Sequence, residues 1–177
     1  EVRVCCEKRE CKWLEAVEGD IDTSHFSWLH AGSIKLDQVP EDNTGKYQLT
    51  NRAPDYHVTD TDWGTMYGAY RETDNPDELY WRVAQFLFPF WTMPPDGDFT
   101  EHIIARAWVP MDDEHTMFVH ISWMKNAQGF RVDKHGEPLP GIKLGMYFEP
   151  NDTSWHGRWR LAANKSNDYK ITRESGG

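Results

Sequence analysis

The sequence predicts an α+β fold, in which one amphipathic helix lies beside an antiparallel β-sheet of four to six strands. Apolar side chains recur at three- and four-residue steps from Trp13 to Leu29, the spacing of one helix face. From residue 65 onward, short aromatic-rich runs are separated by proline, glycine and acidic turns, which is typical of strands. Helix and strands are thus segregated along the chain rather than alternating, as in α+β domains.

The N-terminal half is predicted to contain few regular elements besides the helix. Val2 to Cys6 is predicted to form a strand, and the helix is expected to stop at Ala31-Gly32. Gly19 weakens the helix, because an interior glycine costs about 1 kcal/mol relative to alanine. Residues 33–62 are polar and are predicted to form a long excursion with one short strand near Lys46 to Leu49.

The remaining strands are predicted at residues 65–71, 78–91, 101–109 and 115–124, with a short strand at 144–148 after a loop at 129–145. Strand 78–91 has apolar residues on both faces, as in a sheet covered on both sides. In the last long strand, Met117, Val119, Ile121 and Trp123 share one face. The segment Met111-Asp112-Asp113-Glu114 is predicted to be an acidic hairpin connection.

The composition and charge of the chain disfavour several classes of function. The 177 residues, 38% of them hydrophobic, suffice for one domain with a core. A net charge of −10 disfavours nucleic-acid partners, and no apolar run is long enough for a membrane span. Three crowded cysteines do not suit a secreted disulfide framework, so a cytoplasmic location is expected. Because neither end is closed by a capping element, residues 1–177 are predicted to be a single, partial domain of a longer polypeptide.

Asp22, His25 and His30 are the residues that best suit chemistry. Asp22 and His25 are three apart and would share one helix face. His25 and His30 are five apart, which is about 140° of rotation in a regular helix, too far to bind one ion. A π-helical turn between them would let the two rings converge. From spacing alone, two structural histidines at a helix end are the better interpretation.

The residues around this motif change that interpretation. Residues 10–25 resemble the iron-binding helix of Rieske oxygenase large subunits, in the phthalate dioxygenase-like branch. The family pattern of Asp, two residues, His, four residues, His matches Asp22, His25 and His30 without gaps. Further similar stretches are Tyr80-Trp81-Arg82-Val83, Pro89-Phe90-Trp91-Thr92-Met93, the run from Ala107 to Thr116, and Asn164-Lys165-Ser166-Asn167-Asp168-Tyr169. The resemblance covers almost the whole chain, in order.

The resemblance implies a mononuclear Fe(II) bound by His25 and His30, with Asp22 as the bridging acid for electron transfer. The third ligand, a carboxylate, is expected beyond residue 177. The implied enzyme uses O2 to hydroxylate an aromatic substrate or to cleave its ether oxidatively. Electrons would come from NAD(P)H through a reductase or ferredoxin and a 2Fe-2S Rieske cluster. The implied assembly is a homotrimer, and the implied fold is the helix-grip sheet without its C-terminal helix.

The sequence departs from the family in two ways. The Cys-x-His and Cys-x-x-His units that hold a Rieske cluster are absent, so the Rieske domain is expected to be missing and the isolated chain inactive. No third ligand is evident, although Asp112, Asp113 and Glu149 are weak candidates. His115 and His120 repeat the five-residue spacing, but in a strand they would lie on opposite faces.

The sequence leaves the substrate-binding residues and an alternative function open. Aromatic strands such as 80–91 could line a pocket, and an inward Arg82 or Arg106 could hold a substrate carboxylate. The residues that bind substrate are otherwise not assigned. The alternative function is a non-catalytic module with the same sheet that binds an apolar ligand without metal; a zinc hydrolase is a weaker alternative.

Overall fold

The computed structural model describes residues 2–32, 34–96, 99–125 and 147–171. Their main feature is one seven-stranded antiparallel sheet with the strand order β1-β7-β6-β5-β4-β3-β2. The strands are β1 (Val2–Arg9), β2 (Asp55–Thr61), β3 (Gly64–Glu72), β4 (Leu79–Leu87), β5 (Trp91–Met93), β6 (His102–Pro110) and β7 (Thr116–Met124).

The helical elements are short. They are α1 (Trp13–Ile21), α2 (Thr23–His25), a π-helical turn (Phe26–His30), α3 (Tyr47–Thr50) and 3-10 turns at Leu36–Gln38, Thr44–Lys46 and Lys165–Lys170. A large sheet with a few short helices confirms the predicted α+β class. Within the described ranges, no helix has the length and apolar character that a membrane span requires.

The predicted single helix is instead divided at Asp22. The backbone of Asp22 is extended (φ −76°, ψ 109°), so α1 ends at Ile21 and α2 begins at Thr23. The Asp22 carboxylate accepts hydrogen bonds from the amides of Ser24 and His25. Aspartate competes in this way with the helical hydrogen bonds, and the periodicity of the apolar residues does not reveal it.

Strands β2 and β5 were not expected, so the sheet has seven strands rather than the predicted four to six, and one expected strand is wrong. Residues near Lys46 to Leu49 are helical, in part because the Asn43 side chain accepts the amide of Gly45 and starts a turn there. Strand β2 lies inside the predicted excursion; six of its seven residues are exposed, so no alternation marks it. The predicted loop 129–145 and most of the predicted strand 144–148 lie outside the described residues.

The helices and the core lie on one face of the sheet. Val17 of α1 packs in a buried cluster with Trp108 and Phe118, which are cross-strand neighbours in β6 and β7. Phe118 and Met117 point to opposite faces, which agrees with the predicted shared face of the odd-numbered apolar residues in β7. We call the side that carries α1 the helix face.

Candidate metal centre

Asp20 attaches the end of α1 to the helix face. Its carboxylate accepts hydrogen bonds from the Thr92 hydroxyl in β5 and the Trp108 indole N–H in β6, and it forms an ion pair with Arg106. The Asp20 side chain is only 3% exposed. One residue later, the Ile21 carbonyl accepts a hydrogen bond from the Tyr67 hydroxyl of β3. Three strands therefore fix the position where the His25–His30 segment begins.

The π-helical turn brings His25 and His30 together. The amide of Ala31 donates to the carbonyl of Phe26 at 2.8 Å, the i to i+5 bond that defines such a turn. The ring centroids of His25 and His30 are 5.1 Å apart, with the planes at 68°. The widening that convergence requires is therefore present. Spacing in a regular helix would have separated the two rings.

His25 is held in one tautomer. Its Nδ1 lies 2.6 Å from the backbone carbonyl oxygen of Asp22. Because a carbonyl only accepts, Nδ1 carries the proton and Nε2 keeps its lone pair. This arrangement is usual for histidines that bind metals. Partial burial, and then the neighbouring His25, lower the pKa of His30, which favours the neutral ring that a metal requires.

The Asp22 carboxylate contacts the backbone at the start of its own helix. Its oxygens accept the amides of Ser24 and His25 at 2.7 and 3.1 Å, so it caps α2. Oδ2 is 3.9 Å from Nδ1 of His25, too far for a hydrogen bond. The side chain is 44% exposed and accessible to a partner from solvent.

The acids considered as a third ligand do not join His25 and His30. Among the described residues, the only group of three donors close enough to share an ion is Asp112, His115 and His156. Glu149 instead accepts a hydrogen bond from Asn164 and pairs with Arg160.

His115 and His120 have different partners, although only His120 lies in the strand where both were predicted. His120 lies in β7 opposite Arg106. The Nε–H of Arg106 donates a hydrogen bond to Nδ1 of His120 at 3.2 Å. His115 precedes the strand and contacts Asp112.

The two arginines proposed for a substrate carboxylate have different surroundings. Arg106 is paired with Asp20 and is therefore occupied. Arg82 of β4 donates to the Gln48 side chain, and its guanidinium carbon lies 5.3 Å from the ring centroid of Phe26, inside the π-helical turn. The Nε of Arg82 is buried and has no hydrogen-bond partner in the described part of the chain.

A fully buried arginine lies near Arg82, and sequence reasoning missed it. Arg71 of β3 is 1% exposed and donates to the Asn51 carbonyl at 2.7 Å. Burial and then the nearby charge of Arg82 lower the pKa of Arg71. Its arginine neighbour in space is invisible in the sequence, because the β3–β4 register places the two together.

Comparison with known proteins identifies the family. Residues 1–160 match the family model described as LigXa C-terminal domain like. The 3-chlorobenzoate-3,4-dioxygenase oxygenase subunit of Comamonas testosteroni is 45% identical over 178 aligned residues, 98% of this chain and 40% of that protein. The phthalate 4,5-dioxygenase oxygenase subunit of Pseudomonas putida is 31% identical over 64% of this chain and 27% of its own length.

A more distant relative is the 5,5'-dehydrodivanillate O-demethylase oxygenase subunit of a Sphingobium strain, which is 29% identical over 83% of this chain and 29% of its own length. The chain spans two fifths or less of these three relatives. It belongs to the LigXa C-terminal domain-like family and corresponds to the C-terminal, catalytic-domain-like region of Rieske ring-hydroxylating oxygenase alpha subunits, in the phthalate and 3-chlorobenzoate dioxygenase branch.

Proposed function

We propose that this chain is the iron-binding part of an aromatic oxygenase alpha subunit, in which His25 and His30 bind a mononuclear Fe(II). The observation that carries the proposal is the hydrogen bond from Nδ1 of His25 to the Asp22 carbonyl, which keeps the lone pair of Nε2 available in a ring whose centroid lies 5.1 Å from that of His30. Two imidazoles and one carboxylate are the ligand set of non-haem iron oxygenases, which leaves positions open for O2. The carboxylate would be supplied from beyond residue 177.

Within this proposal, residues 1–177 form one partial catalytic domain of the helix-grip type. The Rieske cluster would lie in another domain and receive electrons from NAD(P)H through a reductase or ferredoxin. Asp22 would be the bridging acid: its exposed carboxylate lies near His25 and is open to a neighbouring subunit of a trimer. The bound iron would supply O2 activation, while the chain's own residues orient the ligands and the substrate.

The substrate class we propose is an aromatic carboxylate. The names of all three relatives above include one: a chlorobenzoate, a phthalate and a divanillate. Arg82 is the residue that suits this chemistry, since its buried Nε has no partner among the described residues and it contacts Phe26 of the π-helical turn. A guanidinium can bind a carboxylate with two parallel hydrogen bonds. Arg106 is excluded from this role by its ion pair with Asp20.

The test is an anaerobic Fe(II) titration, followed by calorimetry, of this chain and of the polypeptide extended beyond residue 177. Weak binding to the chain is expected because two ligands are present, and much tighter binding to the extended protein. His25→Ala and His30→Ala should each abolish it. His57→Ala is the matched control, since His57 is an exposed histidine in β2.

Two outcomes would reject the proposal. If the extended protein bound no Fe(II), or if both histidine variants bound it as well as the parent, the two histidines would not form an iron site. Binding of apolar ligands without any metal would then favour the alternative of a non-catalytic module. Turnover of an aromatic compound by the isolated chain with a reductase would contradict the expectation that this chain alone is inactive.

A further inference from the structure

A second group of metal-binding side chains lies outside the His25–His30 segment. Asp112 and His115 belong to the turn between β6 and β7, and His156 comes from the segment 147–171, which is distant in sequence. One ligand atom from each side chain lies within 4.8 Å of the other two. The family comparison and the proposed iron site do not account for this convergence.

The Asp112 carboxylate is fixed by the backbone of its own turn. Oδ1 accepts the amides of Glu114 and His115, both at 2.8 Å. The bond from the Glu114 amide is the main cause that lowers the pKa of Asp112, so its carboxylate is ionised near neutral pH. Both oxygens lie near Nδ1 of His115, Oδ1 at 2.9 Å and Oδ2 at 3.0 Å, and Oδ2 also lies 3.5 Å from Nε2 of His156.

These separations suit a tetrahedral ion. Bonds of about 2.0 to 2.2 Å to nitrogen and oxygen place tetrahedral ligand atoms about 3.4 Å apart. The two imidazole rings are tilted against each other, with centroids 4.4 Å apart and planes at 35°. The three ligand atoms, each within 4.8 Å of the other two, are therefore close to the spacing that a tetrahedral ion imposes.

The ring of His156 has one nitrogen that is suitably placed. Its Nδ1 is buried and has no hydrogen-bond partner among the described residues, so Nε2 is the nitrogen that faces the carboxylate. The backbone carbonyl of His156 accepts a hydrogen bond from the Lys8 ammonium at 3.1 Å, which holds this part of the segment beside β1. The three side chains are 23 to 40% exposed, enough for an ion to enter and keep a water ligand.

We propose that Asp112, His115 and His156 bind a divalent transition metal of the Zn²⁺ class, with water in the fourth position, and that this ion fastens the segment 147–171 to the β6–β7 turn. Two neutral imidazoles and one carboxylate are a common ligand set for Zn²⁺ and Co²⁺. The site does not depend on the proposed function, because it shares no residue with His25 and His30.

The experiment titrates Co²⁺ into the double variant His25→Ala/His30→Ala, followed by visible absorption, and then adds Zn²⁺. This background removes the proposed iron site. One equivalent of Co²⁺ should bind, give the intense absorption of a tetrahedral centre and be displaced by Zn²⁺. In the same background, Asp112→Asn and His156→Gln should each weaken binding at least about tenfold, while His57→Gln should leave it unchanged.

Asp112→Asn retains Oδ1 for the amides of the turn, and far-UV circular dichroism checks that each variant is folded. The proposal is overturned if the double variant binds no Co²⁺ at millimolar concentration. It is equally overturned if folded Asp112→Asn and His156→Gln variants bind Co²⁺ with the affinity of their parent.

Discussion

The indole N–H of Trp108 donates to the buried carboxylate of Asp20 at 3.1 Å and so joins the end of α1 to the centre of the sheet. Thr92 and Arg106 complete the set of partners around the same carboxylate. Asp20 is two residues before Asp22 and five before His25. The contacts that hold this carboxylate therefore also fix the position at which the segment with the proposed iron ligands begins.

Replacement of Asp20 should be strongly destabilising. In Asp20→Ala, Arg106 loses its counter-ion and the Trp108 N–H loses its acceptor, and breaking such a buried pair costs about 3 kcal/mol. Asp20→Asn retains an acceptor and should cost less. Urea unfolding measures both free energies.

Glu18→Ala is the control for Asp20, because Glu18 is an exposed acid on the same helix. Its free energy of unfolding should change by less than about 0.5 kcal/mol. An Asp20→Ala protein as stable as the parent would show that this carboxylate does not anchor α1.

His120 should make stability depend on pH. Burial, and then the positive charge of Arg106, lower the pKa of His120 from its usual 6.5 to about 4. The unfolded chain therefore takes up this proton at a higher pH than the folded chain does. The stabilisation is complete above about pH 6.5, and it is lost as the pH falls from there towards 4, by at most about 3 kcal/mol.

The measurement for His120 is the free energy of unfolding at pH 7, 6, 5 and 4, for the parent and for His120→Gln. Glutamine stays neutral and retains an acceptor for Arg106, so the variant should lose less stability between pH 7 and pH 4. His57→Gln, with an exposed histidine, should follow the parent. Identical slopes for the parent and His120→Gln would contradict the lowered pKa.

The sequence allowed the motif and most strands to be predicted, for reasons that are local. Asp22, His25 and His30 lie close enough in sequence to be recognised as a motif. In β7, the apolar residues of one face alternate with those of the other, and this is visible in the sequence. The exposed strand β2 has no such alternation, because it lies at the sheet edge and buries almost nothing. Periodicity reports burial, so an exposed strand escapes it.

The features that sequence reasoning missed depend on contacts between distant residues. The partners of Asp20 lie 72 to 88 residues further along the chain. The approach of His156 to Asp112 and His115 is equally invisible in the sequence, because only the folded chain brings the three side chains together. The division of the helix at Asp22 was missed for another reason. The cap that Asp22 forms involves only neighbouring residues, but an aspartate at this position also fits one continuous helix, so the sequence alone does not distinguish the two.

Arg82 should discriminate between charged and neutral aromatic ligands. If its guanidinium holds a carboxylate, 3-chlorobenzoate should bind the protein extended beyond residue 177 more tightly than 3-chlorobenzamide, which has the same shape without the charge. In Arg82→Gln that preference should fall at least about tenfold. Isothermal titration calorimetry of both ligands measures it.

Arg158→Gln is the matched control for Arg82, since Arg158 is exposed and lies in the segment 147–171. The Arg158→Gln variant should prefer 3-chlorobenzoate over 3-chlorobenzamide by the same factor as the parent protein. Equal preferences in Arg82→Gln and the parent would exclude Arg82 as the carboxylate ligand while leaving the iron site of His25 and His30 untouched.

Gly19 and Gly32 should respond in opposite directions to the same substitution. A Cβ atom at Gly32 would lie 2.2 Å from the backbone carbonyl oxygen of Trp28, so Gly32→Ala must distort the end of the π-helical turn. A Cβ atom at Gly19, inside α1, would meet nothing within 4 Å. Gly19→Ala should therefore stabilise the protein by about 1 kcal/mol, through helix propensity alone.

Urea unfolding measures the free energy of unfolding of the two glycine variants. Fe(II) affinity of the extended protein shows whether a substitution also disturbs the proposed iron site. Gly32→Ala should lower both the free energy of unfolding and the affinity, because the turn it distorts presents His30. Gly19→Ala should raise stability and leave the affinity as it is. If Gly32→Ala bound Fe(II) like the parent, the close approach of Gly32 to Trp28 would not be what holds the two histidines together.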